Sequence, residues 1–195
     1  TARSRGLGDV YKRQGEKEMV SIDEGIRFDA SLESLSGLKT LSDDGVLTAG
    51  SSSQICDGAA AIMIVNDAGL EKLGLKPRAK IISLALAGDD PVIMLTGPIP
   101  ASKTVLEKAD LSIEDMDLYE VNEAFAPVPL AWAHELKADK EKLNVNGGAM
   151  ALGHPLGGTG AKLMTTLLHE LERREGKYGL QAICEGGGTA NALII

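Results

Sequence analysis

Leu143 to Ile195 reads LNVNGGAMALGHPLGGTGAKLMTTLLHELERREGKYGLQAICEGGGTANALII, and the order of patterns in it decides the fold class. Leu143 to Val145 is read as a short strand that runs into a segment too rich in glycine for ordinary core. Over residues 158–174, Leu163, Met164, Leu167, Leu168 and Leu171 fall on one helical face, with Glu170, Arg173 and Arg174 elsewhere. Tyr178 to Cys184 and Thr189 to Ile195 are two strands around a glycine turn, a hairpin signal. Strand, glycine loop, helix and strand in succession imply an α/β sheet with helices on both faces. In such sheets the ligand-binding residues gather on loops at strand ends, where Asn122, His154 and Cys184 all lie.

Upstream the alternation continues. Asp117 to Val121 is a short strand that delivers Asn122, and residues 123–137 form a helix whose Pro127 and Pro129 sit near its start, where proline is tolerated. Ser112 caps a short helix bearing Glu114 and Asp115, and a further helix runs over 101–109 after a Pro- and Gly-rich connection at 88–101. Arg78 to Ala87 is a buried-strand candidate. Gly58 to Val65 (GAAAIMIV) is an unbroken apolar run, as expected of a strand buried on both faces. Asn66 and Asp67 cap a helix that Gly74 ends. Residues 15–50 are polar and loop-rich, with one helical turn suggested by Leu32, Leu35 and Leu38.

The chain has 195 residues, 44% of them apolar but only 3% aromatic, which suits tightly packed α/β layers and argues against disorder. A net charge of −8 makes nucleic acid an unfavourable partner. Cys56 and Cys184 do not make a disulfide framework, so a reducing, cytoplasmic setting is expected (mitochondrial or peroxisomal in a eukaryote); Cys56 is read as structural. No apolar run approaches the roughly 18 residues of a membrane span, and no His/Cys spacing suits a metal. Gly157 to Lys162 imitates a phosphate loop but fails it, since Ala161 follows the last glycine and Leu163 follows Lys162. Thr1 to Gln14 is basic and aperiodic. Its GLGDVYKRQ resembles translated sequencing-adapter sequence, so residues 1–14 are set apart as a non-native or disordered segment.

Three residues carry candidate chemistry. His154, between Gly153 and Pro155, is a natural proton acceptor near neutral pH; it can activate a thiol, and its ring N–H can donate to a developing oxyanion. A histidine in a glycine loop can also merely bond backbone, but the crowd of glycines and alanines around this one favours function. Cys184 ends an apolar strand, where a cysteine is usually a small apolar residue; beside backbone N–H groups freed by glycine it can instead act as acid or base. The Gly186 N–H can serve an oxyanion. Asn122 is read as a helix cap or as a donor to a substrate oxygen. Glu123 is favoured as a first-turn helix charge over a group that orients its neighbours.

The segments VLTAGSSSQICDGAAA, GPIPA, NEAFA, NVNGGAMALGHPLGGTGA and CEGGGTANA together resemble the thiolase family, in that family's order, over about residues 16–195. The resemblance implies half of a five-layer α-β-α-β-α architecture with mixed sheets. Residues 15–52 would end the loop subdomain, 53–75 would be the last strand and helix of the N-terminal half, and 76–195 the C-terminal domain. It implies an acetyl-CoA C-acyltransferase that cleaves 3-ketoacyl-CoA or runs the reverse Claisen condensation, here without the family's nucleophilic cysteine. His154, Cys184, Asn122 and Gly186 would be catalytic. Ser53 would lie near the pantetheine arm of coenzyme A and Phe125 would wall the acyl pocket. Coenzyme A is substrate, no other cofactor or metal is implied, and the parent would be a homodimer or homotetramer. Two alternatives are a non-catalytic thiolase-like carrier of acyl-CoA or lipid, and a ketoacyl synthase relative. The latter group pairs two histidines with its cysteine, whereas here Cys184 occupies the last motif.

Overall fold

The structure, a computed structural model, describes residues 22–195; the segment 1–14 set apart above lies outside them. Its centre is a four-stranded mixed sheet. Strands β1 (Ser83–Gly88), β2 (Leu118–Val121), β3 (Gly179–Cys184) and β4 (Thr189–Ile194) stand in the order β1-β4-β3-β2. β2 and β3 are parallel, while β4 is antiparallel to both β3 and β1. The expected hairpin is therefore present, and among the described residues β1 pairs with β4 alone, which leaves it at an edge. The strand expected at 143–145 is reduced to a single bridge between Tyr119 and Leu143.

Helices α1 (Leu32–Ser36) and α2 (Asp67–Leu73) precede the sheet; α3 (Pro98–Ala109), α4 (Pro127–Leu136), α5 (Ala149–Leu152) and α6 (Thr159–Arg174) follow β1 in turn. Local chemistry explains their ends. Asn66 accepts from the Gly69 N–H, and Gly74 closes α2 with φ 62°, a left-handed conformation that costs glycine nothing. α3 and α4 both open on proline, whose missing N–H would have been unsatisfied in the first turn anyway. α3 thus begins three residues before the expected 101, and α4 four residues after the expected 123. The Ser112 cap is formed, but on a 3-10 turn at Ile113–Asp115.

The period-2 alternation of the strands divides two cores. Toward α3 and α4 face Ala85, Tyr119, Val121, Leu180, Ala182, Ala190, Ala192 and Ile194, packed on Ala101, Val105 and Trp132. The Trp132 and Tyr119 rings meet edge to face at 5.3 Å, and the buried indole N–H donates to Ser102 Oγ at 2.8 Å. Toward α6, Leu118, Leu193 and Ile195 pack on Met164, Leu167 and Leu171, the stripe read from the sequence. α6 lies chiefly over β2 and β3. On the same face of β1, Leu84 and Leu86 are 56% and 79% exposed.

The strand expected at 58–65 does not form. Ala59 to Ile64 are exposed and pair with nothing among the described residues. An apolar run states only that a segment suits burial; a strand also needs a neighbouring ladder to satisfy its N–H and C=O groups. This segment presents bare apolar surface, as do Leu84 and Leu86 on the edge strand, and such surface promotes association. Solutions of the chain should accordingly bind anilinonaphthalene sulfonate and self-associate. A Leu84→Thr/Leu86→Thr variant, which keeps strand propensity, should lower both dye fluorescence and sedimentation-derived mass; unchanged values would show that β1 is not the exposed surface.

One buried acid stands out beneath α6. Glu120 of β2 is 2% exposed and opposite Gln181 of β3, yet Glu120 Oε2 and Gln181 Oε1 have no hydrogen-bond partner among the described residues. Burial, together with the nearby Glu123 carboxylate, pushes the Glu120 carboxyl up to about 8. A protonated Glu120 can donate where an ionised one can only accept. Its affinity for the proton is higher folded than unfolded, so this stabilisation is complete below the ordinary value of 4.5 and is lost as pH climbs to about 8. Urea unfolding at pH 6 and pH 9 should show that loss in the native chain and not in Glu120→Gln; equal losses in both would remove Glu120 as its source.

Candidate active site

Three loops meet at the carboxyl ends of β2 and β3. Asn122 follows β2 directly, and its N–H donates to Ala182 O at 3.0 Å, carrying the parallel ladder one residue past the strand. Cys184 is the last residue of β3. His154 arrives from the loop between α5 and α6. Asn122, His154 and Cys184 are 1%, 9% and 7% exposed.

The geometry gives the histidine a definite tautomer. Thr159, in the first turn of α6, donates its hydroxyl proton to Pro155 O at 2.9 Å. Its oxygen is 2.6 Å from His154 Nδ1, and having spent its one proton it must accept there. Nδ1 thus carries the ring hydrogen, and Nε2 presents a lone pair to the site. The Asn122 amide nitrogen lies 3.4 Å from that Nε2 and 3.8 Å from Cys184 Sγ. Asn122 Oδ1 is buried without a partner among the described residues.

Asn122 is therefore not the helix cap weighed in the sequence, because α4 starts five residues later, at Pro127. Glu123 is not a first-turn helix charge either. Its carboxylate accepts from Asn144 Nδ2 at 2.9 Å and from the Met150 N–H at 3.1 Å, so it ties the Asn122 loop to the glycine-rich loop. A Cβ at Gly148 would collide with the Glu123 carboxylate, so any other residue there would have to displace it. Both roles depend on partners more than twenty residues away, which local pattern does not reveal.

A third segment splints the two loops. The Ser53 N–H donates to Ala124 O at 3.0 Å, the Ala126 N–H donates to Ser51 O at 2.9 Å, and Ser52 and Phe125 form a bridge. On the other side the His154 N–H donates to Gln54 O at 2.8 Å. Ser53 and Phe125, both half-buried, are thereby brought beside the Asn122 loop. Gly186 opens the 3-10 turn Gly186–Gly188, where an N–H lacks an intrahelical acceptor, whereas the next N–H, of Gly187, points to Met94 Sδ at 3.4 Å.

The electrostatics keep the site uncharged at rest. Burial, reinforced by the like charge of Lys162, lowers the His154 pKa, so the ring is a neutral base at neutral pH. Burial raises the Cys184 pKa, with Glu185 adding to the rise, against the lowering effects of the Asn122 amide and nearby backbone. Cys184 rests as a thiol, an acid before it is a base. Among the described residues no group of three or more His, Cys, Asp or Glu side chains is arranged to hold a metal ion, and no helix is long and apolar enough to cross a membrane.

Gly153, immediately before the histidine, adopts φ 84° and ψ 159°, a region essentially reserved for glycine, and a Cβ there would meet Cys56 Sγ at 2.5 Å. Gly153→Ala should cost about 1–3 kcal/mol in chemical denaturation, the usual size of such backbone strain. Adding Cys56→Ala should recover only the contact part; full recovery would show that the backbone is not strained.

Comparison with known proteins agrees with this geometry. The family described as "Thiolase, C-terminal domain" matches residues 75–195, and "Thiolase, N-terminal domain" matches residues 9–68. The chain is 56% identical over 204 residues to the steroid 3-ketoacyl-CoA thiolase FadA6 of Mycobacterium tuberculosis, covering 100% of this chain and 50% of that protein. It superposes on the Bacillus anthracis acetyl-CoA acetyltransferase with a TM-score of 0.88 at 44% identity, over 95% of this chain and 47% of that one. A human mitochondrial 3-ketoacyl-CoA thiolase in complex with CoA gives a TM-score of 0.82 at 43% identity, over 91% and 45% of the two chains. The chain spans about half the length of the relatives it matches.

Proposed function

Because this chain belongs to the thiolase family, we propose that it supplies half the active site of an acetyl-CoA C-acyltransferase, which cleaves 3-ketoacyl-CoA with coenzyme A or joins acyl groups in the reverse Claisen condensation. The observation that carries this reading is the buried triangle of His154, Asn122 and Cys184 at the ends of two parallel strands. Residues 15–52 are read as the end of the loop subdomain, 53–75 as the last segment of the N-terminal half, and 76–195 as the C-terminal domain. The assembly, homodimer or homotetramer, and a cytoplasmic, mitochondrial or peroxisomal site of action belong to the same reading and rest on the family.

In cleavage, a cysteine from the half that this chain does not span attacks the ketone carbon, and His154 Nε2 takes its proton. The carbon–carbon bond then breaks, leaving an acyl thioester on that cysteine and the enolate of acetyl-CoA. The Cys184 thiol gives its proton to the enolate carbon, consistent with a thiol held protonated by burial. Once protonated, His154 Nε2–H joins the Asn122 amide as a donor to the enolate oxygen, and the Gly186 N–H faces the oxyanion of the acyl-transfer step. Coenzyme A finally takes the acyl group, and Ser53 and Phe125 are read as lining its approach.

The test is thiolysis of acetoacetyl-CoA by this chain co-expressed with an N-terminal thiolase half. Turnover is expected. His154→Asn and Cys184→Ala should each reduce kcat by roughly 10²–10⁴, the range for losing a positioned general acid or base. Stoichiometric CoA binding without turnover in any pairing would favour the non-catalytic carrier instead.

A further inference from the structure

Lys162 is a cation that acts on the candidate base, and the mechanism above does not use it. It sits in α6 one turn after Thr159, half-buried, and its ammonium donates to Gly153 O at 2.8 Å and Leu152 O at 3.2 Å. Those are the two carbonyls that lead into His154. α6 therefore holds the histidine twice. Thr159 fixes the ring through Nδ1, and Lys162 fixes the backbone at the turn where Gly153 takes its glycine-only conformation.

Its setting is that of a cation kept in place at a cost. Burial lowers the Lys162 pKa, opposed by negative or polarisable groups from every element around it: the Cys56 sulphur and Asp23 from the preceding segment, Glu120 on β2, and Glu123 beyond it. Among the charged groups around His154, Lys162 is the one that acts on the ring, disfavouring its protonation. A lysine serving only as a carbonyl clamp would gain nothing from this placement, since a cation so near a base opposes the base's own protonation. For a base that must be neutral before it can act, the same repulsion is useful.

We infer that Lys162 is a positioning residue for His154, clamping the two carbonyls before it and standing as a like charge beside its ring so that the imidazole is held in place, neutral, and ready to accept a thiol proton. The inference rests on the reading of His154 as a thiolase base, and it adds to that site a charge whose work is done through the histidine, without touching substrate.

The test separates the charge from the clamp. Deuterium exchange at the imidazole Cε1–H, read by mass spectrometry of peptides, gives the titration midpoint of each histidine in the 195-residue chain at micromolar concentration. Lys162→Met removes both clamp and charge, Lys162→Gln removes the charge and keeps a donor, and Lys162→Arg keeps both. The His154 midpoint should rise in the Met and Gln variants and stay in the Arg variant, while those of His134 and His169 do not move. In the co-expressed pair, the acid limb of the kcat/KM profile should move to higher pH in Lys162→Gln and stay in Lys162→Arg, because activity requires the neutral ring. An unmoved His154 midpoint in Lys162→Gln, or one that moves equally in Lys162→Arg, overturns the inference; the Arg comparison stands even where Met does not fold. A moved midpoint without thiolysis by the native pair leaves Lys162 as assigned and removes the thiolase reading.

Discussion

The parallel pairing of β2 with β3 is the constraint on which the rest depends. Leu118 lies opposite Gly179 and Val121 opposite Ala182, so both strands run out at the same edge, and the residue leaving each one is chemical: Asn122 and Cys184. A slip of one residue would exchange the faces of one strand, turning Tyr119 and Val121 out of the core beneath α3 and α4 and bringing Glu120 into it. Packing of Trp132 against Tyr119 thus fixes the register, and the register fixes the Asn122–Cys184 approach. The histidine comes by a different route, through a glycine loop laced to Gln54 on one side and to Thr159 on the other. Residues 51–55 touch both the Asn122 loop and the His154 loop, so the alignment of the two depends on a segment outside the sheet.

Burial then sets the resting charge. His154 is held neutral, Cys184 is held as a thiol, and Glu120 is pushed toward protonation; each shift is led by desolvation. In such a site every proton transfer creates charge where water cannot screen it, and donors fixed in advance are worth more than they would be in solution. The Asn122 amide, the Gly186 N–H and the protonated form of His154 are donors of that kind. The cation of Lys162 stands on the other side of the ledger, favouring the neutral base before the reaction rather than the charged one after it.

Much of this was legible in the sequence where the signal is local. The stripe of Leu163, Met164, Leu167 and Leu171 gave α6 within one residue, because an amphipathic helix records its own buried face. The glycines around His154 marked the loop, because the backbone at Gly153 admits little else. Where meaning depends on a distant partner, the pattern misled. Asn122 and Glu123 look like the start of a helix, yet the backbone after Asn122 pairs with Ser51 to Ser53 and the helix begins only at Pro127. Glu123 finds its partners at Asn144 and Met150, and Lys162 was visible only as the lysine of a failed phosphate loop.

The apolar run at 58–65 is the instructive case. Its composition is that of an inner strand, and it lies bare because no ladder among the described residues meets it. It also begins at the active site. Gly58 packs so closely on Pro155 that an added Cβ would stand 2.9 Å from the proline ring, and Pro155 is both the neighbour of His154 and the acceptor of the Thr159 hydroxyl. A surface covering residues 59–64 would meet the chain directly after this contact between Gly58 and the histidine loop. Covering Ile62, Met63 and Ile64 would release about 1.5–3 kcal/mol for each such side chain fully buried, at a segment that abuts the loop carrying the base.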